Sequence, residues 1–395
     1  MISMQEVRLG VIGIGHMGSA HARGVHDGLI RDVRLTAVCD VRPERLAWAR
    51  EALPEAQGFD DWRALIASGC ADAVLIATPH PLHGEIAAAA MRAGLHVLSE
   101  KPVDIRVSQA RLAAEAARET GRLYAVMFNQ RTEPLFRRAR ELVHSGALGE
   151  LKRSVWLITN WYRTQHYYDS GDWRATWSGE GGGVLMNQAP HNLDLWQWIC
   201  GMPVSVSARC DCARFHRIEV EDDATLLTRF ANGATGLFVT STGEYPGTNR
   251  LEISGTRGKL VLEQGTLRWW ELERDEREVC FSSEQSMPEI PMREQVYTPE
   301  APGTAHAGIL QNFVNAILHG EPLIARGEEG LAELSLSNAA YLSAWQGGRE
   351  IPLPLDDAAF DAALREKQAA SVARESVSGP APDATYSERW QVRWN

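Results

Sequence analysis

From Arg8 onward, short apolar runs alternate with stretches in which apolar residues recur every three or four positions. The runs at 9–12, 35–39, 73–77, 96–99 and 124–127 are almost continuously apolar, the pattern of strands buried on both faces of a parallel sheet. Between them the spacing predicts helices over 16–28, 43–53, 61–68, 82–93 and 108–120. The last is expected to open with Ser108 as N-cap and to close before Gly121. Strand, helix, strand, repeated, predicts a doubly wound parallel sheet of the Rossmann type.

The pattern changes after a helix over 133–145 that stops at Gly146. Longer stretches with polar alternation follow at 152–160, 225–230 and 236–242, which predict an open, mostly antiparallel sheet. Asn232-Gly233 is a hairpin signal, and residues 254–258 predict a second turn. Helical spacing returns at 305–319 and 328–346. The expected organisation is an α/β N-terminal domain over 1–127, an α+β C-terminal domain over 128–355 and a C-terminal extension over 356–395. From about 371 that extension is rich in Ser, Pro, Ala and charge, so it is read as an arm on a neighbouring subunit or as loosely ordered chain.

Composition narrows the function. A chain of 395 residues with 44% hydrophobic and 23% charged residues is expected to form two compact domains. A formal net charge of −11 argues against nucleic acid or anionic lipid as a partner, since both demand clustered Lys and Arg. No apolar run is long enough to span a bilayer, and the start Met1-Ile2-Ser3-Met4-Gln5-Glu6 lacks a basic segment followed by an apolar one. A cytoplasmic location is therefore expected. The six cysteines fall mostly within strand or helix patterns, and Cys210-Asp211-Cys212 has no second pair at ligand spacing. They are read as reduced structural thiols, with no metal site.

Gly13-Ile14-Gly15-His16-Met17-Gly18 follows the first strand and opens the first helix. There, glycine permits a tight turn and close approach to a pyrophosphate, while the helix N-terminus offers unpaired N–H groups. The second strand ends in Asp40-Val41, about 20 residues further on, where an acidic side chain binds ribose hydroxyls and repels a 2′-phosphate. NAD is the expected cofactor, although Arg42 and Arg45 could meet a phosphate. Thr78, Pro79 and His83 follow one strand, Glu100 and Lys101 another, and Asn129 the last. All lie at the carboxyl edge of the sheet, where such folds bind ligands.

Residues 77–83, Glu100-Lys101-Pro102 and Gly181-Gly182-Gly183-Val184-Leu185-Met186-Asn187-Gln188-Ala189-Pro190-His191-Asn192-Leu193-Asp194, taken with the glycine motif, resemble the glucose-fructose oxidoreductase, inositol dehydrogenase and rhizopine catabolism (Gfo/Idh/MocA) family. The resemblance extends over 7–355. It implies oxidation of a secondary hydroxyl of a sugar, glycoside, anhydrosugar or cyclitol to a ketone, or the reverse, with Lys101 and His191 beside the reacting hydroxyl. The family often has aspartate four residues before that histidine, and here stands Asn187. An amide cannot accept a proton at neutral pH, whereas imidazole can. His191 is thus expected to be the base and Lys101 to hold the hydroxyl oxygen. Asn187 also reads as the N-cap of a helix carrying Pro190 in its first turn.

For the substrate, Arg131 and the aromatic-basic pairs Tyr162-Arg163 and Trp173-Arg174 are the candidates beside Lys101, Asn187 and His191, because sugars stack C–H faces on rings and offer hydroxyls to polar groups. A small neutral sugar or polyol is the expected partner, with a homodimer or homotetramer packed through the open sheet. Two alternatives stay open. One is an enzyme that retains its cofactor for epimerisation or glycoside cleavage by transient oxidation, and the other is a non-catalytic NAD(H)-binding sensor.

Overall fold

The computed structural model describes residues 6–372 together with Val392 and Trp394, so most of the tail expected to be an arm lies outside the described residues. Strands β1 (Val7–Ile12), β2 (Val33–Cys39), β3 (Gln57–Phe59), β4 (Ala73–Ile76), β5 (His96–Ser99) and β6 (Tyr124–Val126) form one sheet in the order β3-β2-β1-β4-β5-β6. Every pairing in it is parallel. Helices α1 (His16–His26), α2 (Pro43–Ala52), α3 (Trp62–Ala67), α4 (His83–Arg92) and α5 (Val107–Thr120) connect the strands. The apolar runs are the buried strands, whereas β3 is three residues with two exposed, too short and polar to be read from its pattern.

One boundary differs from expectation. Ser108 lies inside α5, whose N-cap is Arg106. The Ser108 hydroxyl instead donates to Asp361 at 2.8 Å, because a helix from the C-terminal extension packs here.

Beyond α6 (Pro134–His144), the chain forms β7 (Leu151–Ile158), α7 (Gln165–Asp169), α8 (Val184–Asn187) and α9 (Pro190–Cys200). The strands β8 (Ser205–Cys212), β9 (Glu221–Arg229), β10 (Thr235–Ser241), β11 (Asn249–Gly255), β12 (Gly258–Glu263) and β13 (Thr266–Leu272) follow. After α10 (Glu276–Ser282) come β14 (Met292–Tyr297), α11 (Ala305–His319), α12 (Gly330–Trp345), β15 (Ile351–Pro352) and α13 (Asp357–Ala369). The nine strands order as β14-β13-β12-β11-β7-β10-β9-β8-β15, antiparallel except where β7 meets β10. Asn232-Gly233 turns β9 into β10 with Gly233 at φ +86°, a conformation that favours glycine.

One face of this sheet is dry. Trp156 and Phe238 pair across β7 and β10, and Trp196 of α9 packs its ring on Phe238 with centroids 5.4 Å apart. A Cβ at Gly236 would stand 2.6 Å from the Trp196 ring, so this glycine is what lets the indole lie against the sheet. The opposite face carries Val155, Leu157, Leu237 and Val239, all partly exposed, and Leu227, 58% exposed.

Two segments cross the sequence-based divisions. Helix α11, beyond the second sheet in sequence, places Ile309, Leu310, Phe313 and Val314 in the same core as Val7, Leu9 and Leu98. It thereby covers one face of the first sheet. Helix α13 opens the C-terminal extension and stacks Phe360 on Trp345, while Arg111 of α5 pairs with Asp357 at 2.9 Å. Among the described residues, no helix is long and apolar enough to cross a membrane.

Candidate active site

The glycine loop gives each of its three glycines a separate task. Gly13 sits at φ +86°, and a Cβ there would come within 2.6 Å of the Ala77 carbonyl oxygen. At Gly18 a Cβ would lie 1.7 Å from the Gly13 oxygen, so α1 and β1 touch only because this residue has no side chain. Gly15, the N-cap of α1, has nothing nearer its would-be Cβ than the Arg42 guanidinium at 3.9 Å. That open approach at a helix N-terminus is what a pyrophosphate requires.

Asp40, 8% exposed at the end of β2, accepts from the Ile14 N–H at 3.0 Å and the Arg42 N–H at 3.0 Å. The Ile14 N–H therefore aims Asp40 rather than a ligand, and its side chain is buried in the core. A carboxylate retains further lone-pair sites for ribose hydroxyls. Arg45 donates to the Ile14 carbonyl at 2.7 Å and the Gly15 carbonyl at 3.0 Å, and Arg42 leans on Asp40 at 3.4 Å. Both arginines thus have partners within the loop. His16 and Met17 form the first turn of α1, and Val41, 79% exposed, flanks Asp40. Below the loop, the Thr78 hydroxyl oxygen is buried with no hydrogen-bond partner among the described residues, and Pro79 caps the short helical turn that follows. Open backbone, orphaned hydroxyl and buried acid fit a dinucleotide.

Lys101 projects from the end of β5. Its Nζ donates to the backbone carbonyl of Asn187 at 2.7 Å, joining the two domains, and burial lowers its pKa although Glu100 and Glu180 oppose that. His191 is the second residue of α9 and 9% exposed, with Nδ1 unbonded. Burial holds its pKa well below the ordinary imidazole value, and the charges of Lys101 and His306 act in the same direction. Its ring edge faces Phe128, with centroids 6.4 Å apart.

Asn187 is not the cap it was expected to be. It is the last residue of α8, and α9 begins at Pro190 after an N-cap at Ala189. Its side-chain amide donates to the buried Glu180 carboxylate, and its place at the end of α8, two residues before the α9 N-cap, rules out the capping role.

Several residues expected to contact ligand are engaged by other partners within the chain. Arg131 is 1% exposed and forms a two-point pair with Asp194 at 2.6 and 2.8 Å. Its remaining nitrogen reaches Glu329 and the Ile324 carbonyl, so each guanidinium nitrogen already has a partner within the chain. His83 has Nδ1 2.7 Å from the Pro102 carbonyl and Nε2 2.8 Å from the Thr78 carbonyl; it staples two loops and keeps no polar atom for the cofactor. Glu100, 6% exposed, turns its carboxylate to His21 at 2.7 Å and to the Lys101 N–H at 3.2 Å. Asn129 is buried where β6 ends. Tyr162, 46% exposed, pairs its ring with Tyr245 and has no described contact with Lys101, Asn187 or His191.

The other aromatic-basic residues do assemble. Arg174 lies over the rings of Tyr167 and Trp173, each centroid 4.7 Å away, and Arg163 lies over Tyr167 at 5.1 Å. Trp173 meets His80 edge-on at 5.5 Å, and Trp161 donates to Asn192, next to His191, at 3.2 Å.

Sequence reasoning missed His21, His80, Glu180 and His306. The His21 contact pulls Glu100 to about 2 against the opposing effect of burial, and His306, packed 5.6 Å from His21, is pulled by burial to about 3. Each of these residues reads locally as a helix or loop position, with no signal that distinguishes it. Lys101 feels the buried acids Glu100, Glu180 and Glu333, and Arg174 lies 3.9 Å from Glu180.

Comparison with known proteins identifies the family. Residues 7–128 match an oxidoreductase family with an NAD-binding Rossmann fold, and residues 136–261 match the GFO/IDH/MocA C-terminal domain. The myo-inositol 2-dehydrogenase of Thermotoga maritima is 26% identical over 345 residues, 85% of this chain and 96% of that protein. Levoglucosan dehydrogenase of Pseudarthrobacter phenanthrenivorans is 29% identical, over 72% of this chain and 78% of its own. Among solved structures, the WlbA dehydrogenase of Bordetella pertussis, in complex with NADH and UDP-GlcNAcA, superposes with a TM-score of 0.73 at 29% identity. It covers 89% of this chain and 100% of its own.

Proposed function

This chain belongs to the Gfo/Idh/MocA family of NAD-binding oxidoreductases, and from that premise we propose that it oxidises a ring secondary hydroxyl of a neutral sugar, glycoside, anhydrosugar or cyclitol to a ketone. The observation that carries this reading is the junction of Lys101, from the nucleotide domain, with the Asn187–His191 segment of the second domain. Relatives named as dehydrogenases of myo-inositol and levoglucosan support the substrate class.

NAD, held by the glycine loop, Asp40 and Thr78, supplies the hydride acceptor when bound. The chain's own residues handle the proton. Lys101 donates a hydrogen bond to the hydroxyl oxygen and so stabilises negative charge developing there. His191, kept neutral by burial and by its place at the helix N-terminus, takes the hydroxyl proton on an unbonded ring nitrogen. Trp173 and Arg174 form the wall against which the substrate ring lies.

Formation of NADH from NAD with a panel of sugars, glycosides, levoglucosan and inositols tests the reading, with Lys101→Ala as control. The variant should keep its affinity for NAD and lose most turnover. Reduction of bound cofactor without release of NADH would instead indicate an enzyme that retains it, and no reduction with any member of the panel would leave only a sensor. A homo-oligomer is proposed through the sheet face bearing Leu227, Leu237 and Val239, because partly exposed apolar rows of this kind are commonly covered by a second copy. Sedimentation of a monomer at micromolar concentration would refute that.

A further inference from the structure

Glu180 lies in the loop before α8 and is 2% exposed. One carboxylate oxygen accepts the Ala175 N–H at 2.6 Å; the other accepts the Asn187 side-chain amide and lies 3.9 Å from Arg174. Its backbone carbonyl meets His80 Nδ1 at 3.1 Å. Lys101, bonded to the carbonyl of Asn187, adds a nearby positive charge. This acid takes no part in the proton transfer above.

Its chemistry nevertheless constrains a neighbour. An ionised carboxylate only accepts hydrogen bonds, so the amide of Asn187 must turn its NH₂ toward Glu180. The carbonyl oxygen Oδ1 is then left on the other side, and no described group donates to it. We propose that Glu180 is a positioning residue that locks Asn187 as a hydrogen-bond acceptor for a second substrate hydroxyl adjacent to the reacting one, so that the enzyme selects vicinal diols. This rests on the dehydrogenase reading. Burial raises the pKa of Glu180, and Arg174, the Ala175 N–H, the Asn187 amide and Lys101 oppose that rise. The lock therefore holds while Glu180 is ionised and loosens on acidification.

A charge relocation tests it. Glu180→Gln keeps the shape but lets either end of a neutral amide face Asn187, so the lock is lost. Adding Asn187→Asp restores a fixed acceptor, since the new glutamine amide donates to the new carboxylate, whose second oxygen accepts from the substrate. Binding of methyl glucoside, levoglucosan and myo-inositol, with their monodeoxy derivatives, is measured by calorimetry on the NADH-loaded enzyme. Removing the neighbouring hydroxyl should weaken binding to the wild type about tenfold or more, and to Glu180→Gln less than about threefold. The double variant should recover the wild-type discrimination. Equal discrimination in wild type and Glu180→Gln, or a double variant no better than the single, overturns the proposal.

Thermal unfolding without ligand reads the contact separately. Asn187→Asp alone sets two carboxylates against each other and should melt several degrees lower, with Glu180→Gln in the same chain reversing the loss. An unchanged melting temperature for Asn187→Asp would overturn the proposal whatever the substrate. Failure of every probe to bind or react, with the melting coupling present, would instead refute the dehydrogenase reading on which substrate selection depends.

Discussion

Replacing Gly15 with alanine separates the ligand-facing glycine from the fold-forming one. Gly15 has φ −66° and ψ −150°, a backbone that alanine adopts without strain, and the added methyl meets nothing nearer than Arg42 at 3.9 Å. Alanine at an N-cap is less favourable than glycine, and the stiffer unfolded chain offsets that by about 0.4–1 kcal/mol. The ligand-free protein should therefore melt within a few degrees of wild type. On the proposed reading NAD would bring its pyrophosphate to this backbone, and an extra methyl in a filled contact would cost about 1–3 kcal/mol, or roughly 5–150-fold in affinity. Gly18→Ala should behave oppositely. Its methyl would stand 1.7 Å from the Gly13 oxygen, so α1 must move off β1 and the ligand-free protein must lose stability. Calorimetric titration of NAD and thermal unfolding of both variants give the comparison. Wild-type NAD affinity in Gly15→Ala, or wild-type stability in Gly18→Ala, would refute the division of labour.

Three further outcomes follow from the described contacts. Oxidation should rise with pH as His191 loses its proton, and because burial lowers that pKa the limb should fall below the ordinary imidazole value of about 6.5. His191→Asn should abolish the limb and cost roughly 10²–10⁴-fold in turnover, whereas a limb that survives would move the base to Lys101. Arg131→Met should act on stability rather than on KM, since it strands Asp194 in the core at a cost of about 3–5 kcal/mol. A folded variant with wild-type melting and a raised KM would return Arg131 to the substrate site. Specificity constants should favour NAD over NADP, because Asp40 opposes a 2′-phosphate and both nearby arginines have partners in the loop; Asp40→Ala should narrow the preference, and equal use of both cofactors by the wild type would refute the role of Asp40.

What the sequence determined by itself is what neighbouring residues decide among themselves. Continuous apolar runs marked the buried parallel strands, Asn232-Gly233 marked its hairpin, the helix expected over 305–319 is α11 at those bounds, and Asp40 stood where the motif required it. Each of these is set by local backbone preference or by a period shorter than one element. The tertiary structure decided the rest. Helix α11 carries an apolar face that any sheet could cover, and only packing sent it to the first one. Arg131 looked available until Asp194, 63 positions away, took two of its nitrogens. Glu100 found His21 across 79 positions, and Lys101 found Asn187 across 86. Burial then set the protonation of His191 and His306. A short-range pattern records which residues prefer a helix or an interior, but not which distant partner arrives there, and for a buried polar group the partner and the loss of water determine its charge and its role.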